Sequence, residues 1–176
     1  MCGMKILACL ALCLLAGCAT TPLPEEGEPL VGAIVQRLSL AKDIAWAKWA
    51  DGLPIRDAER EEAVLAKVEA RAIASGMNET STRRFFRAQI EASCREQELW
   101  LKRWKAGESL PAGEPPSLGA LRERVDRRTS LLLAEWAASE SSPPPPDAVR
   151  ARLIEQGFSP SAAAAASGGW TMPSAW

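Results

Sequence analysis

The first hundred residues carry a spaced set of polar side chains: Arg37, Lys48 eleven positions on, Asp57-x-x-Arg60-Glu61, and Ser93-x-x-x-Gln97. Each interrupts a stretch that otherwise reads as amphipathic helix. Three cations with short hydrogen-bonding groups suit a small polyanionic ligand. The chain contains no histidine and no metal-ligand spacing, so neither a metal nor a cofactor is implied. The chemistry expected is electrostatic and positional.

The spacing gives these residues a geometry. Eleven residues is close to three helical turns, so in one helix Arg37 and Lys48 lie on nearly one face, about 16 Å apart along the axis. Their long stems can bend toward a common point. Asp57, Arg60 and Glu61 sit at i, i+3 and i+4, one helix face, and Ser93 and Gln97 are an i, i+4 pair. Packed together, the three helices would line one pocket. Singly, each residue has an ordinary use: Asp57 as an N-cap, Arg37 and Lys48 as exposed flanks of an apolar stripe, Arg60 and Glu61 as surface charges. Cys94 reads as a small buried residue. The tryptophans Trp46, Trp49, Trp100, Trp104 and Trp136 read as packing residues. The joint spacing, not any one position, carries the argument.

The elements that must hold these residues are helices. Ala, Leu, Glu and Arg dominate, Tyr is absent and β-branched residues are sparse, which favours helix over strand. A first helix is expected over 29–50, with Leu30, Ile34, Leu38, Ala41, Ala45 and Trp49 as its buried stripe. Asp51-Gly52-Leu53-Pro54 breaks it. A second helix is expected over 57–75, capped by Asp57 and stopped by Gly76 and Asn78. A third is expected over 81–105 and a fourth over 118–139, with a Gly/Pro-rich link between them. Residues 143–146 form a polyproline spacer, and 147–156 a further short helix. The tail from Ser159, an alanine run followed by two glycines, is expected to be partly ordered at most. The reading is all-α, a helical bundle.

The N-terminus reads as a targeting segment. Lys5 precedes a short apolar run, residues 6–15, too short to span a bilayer comfortably. Leu15-Ala16-Gly17-Cys18 resembles the lipobox of a bacterial lipoprotein signal, which implies cleavage before Cys18 and lipid on that cysteine. Ala19 supplies no acidic retention signal, so the resemblance points to an outer-membrane anchor facing the periplasm. An ordinary secretory signal is the alternative. The expected division is 1–17 signal, 18–28 lipidated cysteine and tether, 29–140 helical domain, and 141–176 a Pro/Ala-rich segment. After cleavage at Cys18 and its acylation, Cys94 is the one cysteine left of five, so no internal disulfide can form. The net charge of −1 makes no case for nucleic acid.

The quoted residues resemble a known family. Gln36-Arg37-Leu38, Ala47-Lys48-Trp49, the run from Leu53 through Asp57 to Glu61, and Phe85-Phe86 through Ser93 with Gln97 in register are similar to the all-helical chorismate mutases, in particular their secreted subclass. The similarity covers roughly residues 30–136. It implies that Arg37 grips a substrate carboxylate, and that Lys48 bonds the ether oxygen of the breaking C–O bond as well as a carboxylate. It implies that Gln97 is the second donor to that oxygen, that Arg60 stands at the carboxylate end, and that Asp57 and Glu61 lie near the ring hydroxyl. Ser93 falls beside the ring carboxylate. Dimeric relatives borrow one more arginine from a partner. The secreted subclass supplies it in cis, and Arg122 aligns best with that role, ahead of Arg124. A homodimer is common among helical mutases, but an Arg122 in cis removes the catalytic need for one.

Two other functions share these features. A lyase acting on isochorismate would use similar carboxylate-binding residues, although the Asp57/Glu61 pair favours the mutase. A non-catalytic helical lipoprotein would keep the apolar stripes without needing Lys48 and Gln97.

Overall fold

A computed structural model describes residues 23–170, and the structural statements below concern those residues. The expected signal and Cys18 lie outside them, as do residues 171–176. After a short 3₁₀ turn, Glu25–Gly27, seven helices follow: α1 Glu28–Leu38, α2 Ala41–Ala50, α3 Ala58–Ala74, α4 Glu79–Lys105, α5 Leu118–Ser139, α6 Pro146–Glu155 and α7 Pro160–Ser167. No strand occurs among the described residues. The all-α bundle is thus what forms.

The 27-residue α4, about 40 Å long, is the spine. Helices α2, α3 and α7 pack along it, while α1 rests mainly on α5 and also touches α4. Asn78 Oδ1 accepts a hydrogen bond from the Ser81 amide at 2.9 Å, so the helix starts at Glu79, two residues earlier than expected. Asp57 caps α3 as expected, accepting from the Arg60 amide at 3.0 Å. At the other end of α3, Gly76 adopts φ +72° and the Met77 amide donates back to the Ala72 carbonyl at 2.9 Å. That left-handed stop strongly favours glycine.

Two expectations are corrected. The segment 29–50 is two helices, not one. The chain turns at Ser39 and Leu40, where the Ser39 hydroxyl donates to the Gln36 carbonyl at 3.0 Å and the Leu40 amide donates to the Arg37 carbonyl at 3.3 Å. A serine hydroxyl bonded to the carbonyl three residues back competes with the helical ladder. Beyond the turn the buried register shifts, so Trp46 is buried while Trp49, expected in the stripe, is 37% exposed.

The second correction concerns the tail. Its alanine run is helix α7, packed lengthwise on α4. Ser159 Oγ accepts from the Ala162 amide at 3.2 Å, Pro160 stands at N1, and the Glu96 carboxylate accepts from the Ser159 amide at 3.0 Å. Ala162, Ala163 and Ala166 are wholly buried, because small side chains let the two helices approach closely. A Cβ on Gly169 would lie 2.8 Å from the Ala88 Cβ and 3.0 Å from the Phe85 Cα. The chain then delivers Trp170 into the core. Phe85 stacks on Trp136 with ring centroids 4.3 Å apart; Trp170 lies 5.6 Å from Phe85 and donates its indole N–H to the Pro144 carbonyl at 3.0 Å. The polyproline run, expected as a spacer, is therefore also a packing surface.

Replacing Trp170 should be costly. Trp170→Ala is expected to destabilise the fold by about 3 kcal/mol, whereas Leu131→Ala, at a residue 53% exposed, should change stability by no more than about 0.5 kcal/mol. Urea unfolding of both variants checks the contrast.

Candidate active site

A single cleft gathers the polar residues singled out above. Arg37 reaches it from the end of α1, Lys48 from the last turn of α2, and Asp57, Arg60 and Glu61 from the start of α3. Ser93 and Gln97 enter from the middle of α4, and Arg122 from the second turn of α5. The walls between them are apolar: Ile44, Ile55, Val64, Ile90, Leu118 and Val125. The empty space, counted out through its open mouth into solvent, is about 730 Å³. Arg124 is not in the cleft; it pairs with Asp43 at 3.5 Å on the outside.

Arg37 is the buried cation of the site, only 7% exposed. Its Nε donates to Thr129 Oγ1 at 3.2 Å and its Nη1 to the Gln89 carbonyl at 3.0 Å. Burial pulls its pKa down to about 10, which still leaves it charged at neutral pH. Lys48, half-buried, donates to the Ile55 carbonyl and so fastens the loop that leads into α3. Burial lowers its pKa; Cys94, Asp57 and Glu61 act against that shift, and Arg122 adds to it. Among the described residues, neither Arg37, Lys48 nor Arg122 has a carboxylate within ion-pair distance. Arg60 lies 3.7 Å from Asp126.

The acidic residues of the site are held by backbone. Besides capping the Arg60 amide with its side chain, Asp57 donates its own amide to Glu61 Oε1 at 3.2 Å. This reciprocal pairing satisfies two otherwise unpaired donors at the start of α3. Cys94 lies beside Glu61, 3.7 Å from Oε1. Burial, reinforced by Glu61, pushes its thiol up to about 11, so it stays neutral. Gln97, 4% exposed, donates from Nε2 to Ser93 Oγ at 3.0 Å.

Comparison with known proteins identifies the scaffold. The Chorismate mutase type II family matches residues 28–98, the stretch from α1 to the middle of α4. A solved chorismate mutase from Burkholderia thailandensis is 34% identical and superposes with a TM-score of 0.68, covering 83% of this chain and 96% of that one. The chain belongs to the type II chorismate mutases. The secreted chorismate mutase of Yersinia pestis is 25% identical with a TM-score of 0.69, covering 80% of this chain and 94% of its own. The "Secreted chorismate mutase" of Mycolicibacterium smegmatis is 29% identical over 166 residues, which is 88% of this chain and 92% of that protein.

Two residues that hold the mutase pocket were not singled out from sequence. Thr129 and the Gln89 carbonyl orient the Arg37 guanidinium. Thr129 did leave a trace: it is a lone polar residue at helical spacing among Leu121, Val125, Leu132 and Trp136, and it is 3% exposed. The Gln89 carbonyl left none, because any residue would supply it.

The lip of the pocket is pinned from outside. Arg56, in the loop before α3, donates to Glu91 at 2.7 Å and to Glu98 at 2.9 Å, and Arg95 joins Glu91 at 2.7 Å. Hydrogen bonds from Arg56, then Arg95, hold the Glu91 pKa down at about 2 against its ordinary 4.5. A carboxylate depressed on folding contributes stability above its unfolded pKa and loses it as pH falls through the folded value. The acid limb of stability between about pH 4.5 and 2 should therefore be shallower in Glu91→Gln than in the wild type, as denaturant unfolding across that window would show.

Proposed function

We propose that this pocket converts chorismate to prephenate outside the cytoplasm, with Arg37, Lys48, Gln97 and Arg122 as the residues that carry the reaction. The protein is a chorismate mutase, an isomerase, in keeping with its family and with relatives named as secreted chorismate mutases. The observation that carries the residue assignments is the convergence of three cations without carboxylate partners on one apolar-walled cleft. Elsewhere in the protein arginines such as Arg56, Arg83 and Arg95 are neutralised by glutamates.

Chorismate is a dianion. Four cations against Asp57 and Glu61 leave the cleft with an excess of two positive charges, the complement of two carboxylates. Arg37 and Arg122 clamp those carboxylates, their planar forks matching the carboxylate geometry. Arg60 adds charge at the carboxylate end, and Ser93 stands beside the ring carboxylate. Asp57 and Glu61 face the ring hydroxyl.

The rearrangement is intramolecular. The ether C–O bond breaks as the new C–C bond forms, and no proton or covalent catalyst is required. The protein contributes by holding the compact reactive conformer and by stabilising charge that grows on the ether oxygen. Lys48 and Gln97 donate to that oxygen. Lys48 carries three N–H groups and spends one on Ile55, so two remain. These bonds strengthen as the C–O bond breaks, which is what raises kcat. All four cations come from one chain, so the reaction needs no residue from a second subunit.

The lipobox-like Leu15-Ala16-Gly17-Cys18 supports a finer location, with the mature protein anchored through lipid on Cys18 to the outer membrane and facing the periplasm. Cys18→Ser should then move the protein from the membrane to the soluble fraction.

Chorismate consumption by residues 19–176, with prephenate identified as product, tests the function. Lys48→Ala should lower kcat by about 10²–10³. Pyruvate and salicylate from isochorismate, with no prephenate from chorismate, would overturn the mutase assignment.

Two features of the pH profile follow from the donors. Gln97 needs no protonation to donate, so kcat should be nearly flat from pH 5 to 7.5; a steep fall there would exclude it as the donor. Lys48 must be charged, and its pKa in the empty site lies below the ordinary 10.5. The quantity kcat/KM should thus decline at alkaline pH through that lowered pKa. The decline in kcat should come at higher pH, because the bound dianion favours the ammonium form.

A further inference from the structure

The contact between Ser93 and Gln97 leaves one polar atom unexplained. Gln97 lines the cleft, its Nε2 meets Ser93 Oγ at 3.0 Å, and its Oε1 is buried with no hydrogen-bond partner. A buried acceptor without a donor is unusual enough to require a cause.

The two ends of a primary amide have nearly the same shape, so hydrogen bonding decides which end meets Ser93. A serine hydroxyl can take either part, because its proton rotates. With Nε2 toward Ser93, the end left over is an acceptor. The groups chorismate brings to this wall are an ether oxygen and carboxylates, which are acceptors too, so Oε1 would stay unpartnered in the complex as well. With the amide turned end for end, the Ser93 hydroxyl donates to Oε1 across the same separation. Both N–H groups then belong to the ligand, and no buried polar atom is left over once substrate binds.

We propose that Ser93 is a positioning residue that acts through Gln97, its hydroxyl donating to Oε1 and committing the amide to present its NH₂ to the ether oxygen. The proposal rests on the assignment of Gln97 as a donor to that oxygen. It also changes the part that resemblance gives Ser93. A hydroxyl has one proton, and a proton given to Oε1 is not available to a ring carboxylate. Without Ser93 the amide could turn its oxygen toward the substrate, and a fraction of the enzyme would place an acceptor against the atom on which negative charge develops.

A double-mutant cycle in steady-state kinetics with chorismate tests this, using the wild type, Ser93→Ala, Gln97→Ala and the double variant, each checked for helicity and thermal unfolding. Ser93→Ala is expected to lower kcat about tenfold, the worth of one hydrogen bond, with KM changed by less than about threefold. In the Gln97→Ala background the same substitution should lower kcat by less than about twofold, since nothing remains to be oriented. An equal fall in both backgrounds, or a rise in KM with kcat kept, would overturn the proposal in favour of direct contact between Ser93 and substrate. A Gln97→Ala variant with wild-type kcat would remove the donor assignment itself, and the part given to Ser93 with it. Ser93→Cys, close in size but a weak donor, repeats the cycle should the alanine variant fail to fold.

Discussion

The site depends on keeping one guanidinium buried, charged and unpaired. Arg37 is enclosed by α1, α4 and α5, and the groups that touch it are neutral: the Thr129 hydroxyl and the Gln89 carbonyl. These occupy two of its five N–H groups and fix the plane of the fork without neutralising it. A carboxylate in either place would stabilise the empty protein more and would compete with the ligand. The surrounding surface follows the opposite rule, with Arg56, Arg83 and Arg95 bound to glutamates. Charge is thus neutralised where it holds the scaffold and left exposed to the ligand where it faces the cleft.

Gln89 links this constraint to the far end of the chain. Its carbonyl receives Arg37, while its side-chain Nε2 donates to the Ala166 carbonyl of α7 at 2.8 Å. One residue of α4 therefore faces the active site with its backbone and the C-terminal helix with its side chain. Glu96, two turns along the same face of α4, receives the Ser159 amide at the start of α7. The aromatic group of Phe85, Trp136 and Trp170 closes the same region from α4, α5 and the segment after α7. The C-terminal segment is in this way part of what keeps α4 in place behind the side chains of the cleft.

Much of this was legible in the sequence, and what was not has physical causes. The bounds of α3 and α5 were readable within a residue because Asp57, Gly76 and the Gly/Pro-rich link act locally. The break at Ser39 was not, since it has neither glycine nor proline and its mark is a hydroxyl bonding the Gln36 carbonyl. The alanine run of α7 looks the same in composition whether it is a solvated tail or a buried helix. Contacts with Gln89, Glu96 and Phe85, all distant in sequence, decide the matter. The polar residues of the cleft were expected to meet because Arg37 and Lys48 would share a face of one helix. They do line one cleft, but from two helices joined by a turn, so the meeting follows from α1 packing mainly on α5 and α2 on α4 rather than from one helical axis.

The cation field also bears on why position 97 holds an amide. Burial disfavours the charge on Lys48 and Arg122 adds to that, while Cys94, Asp57 and Glu61 oppose it; a bound dianion would favour the charge further. Preorganised charge of this kind acts on the transition state without reorganising, and the folded protein is less stable for it. Under the proposed assignment, an ionised carboxylate at 97 would compete for the ammonium that Lys48 presents to the ether oxygen. It could donate to that oxygen only when protonated, beside cations that favour its ionised form. A glutamine avoids both outcomes. It is neutral, so the field of Arg37, Lys48 and Arg122 stays directed at the ligand, and it is a donor at every pH at which the protein is folded, provided its nitrogen faces the substrate.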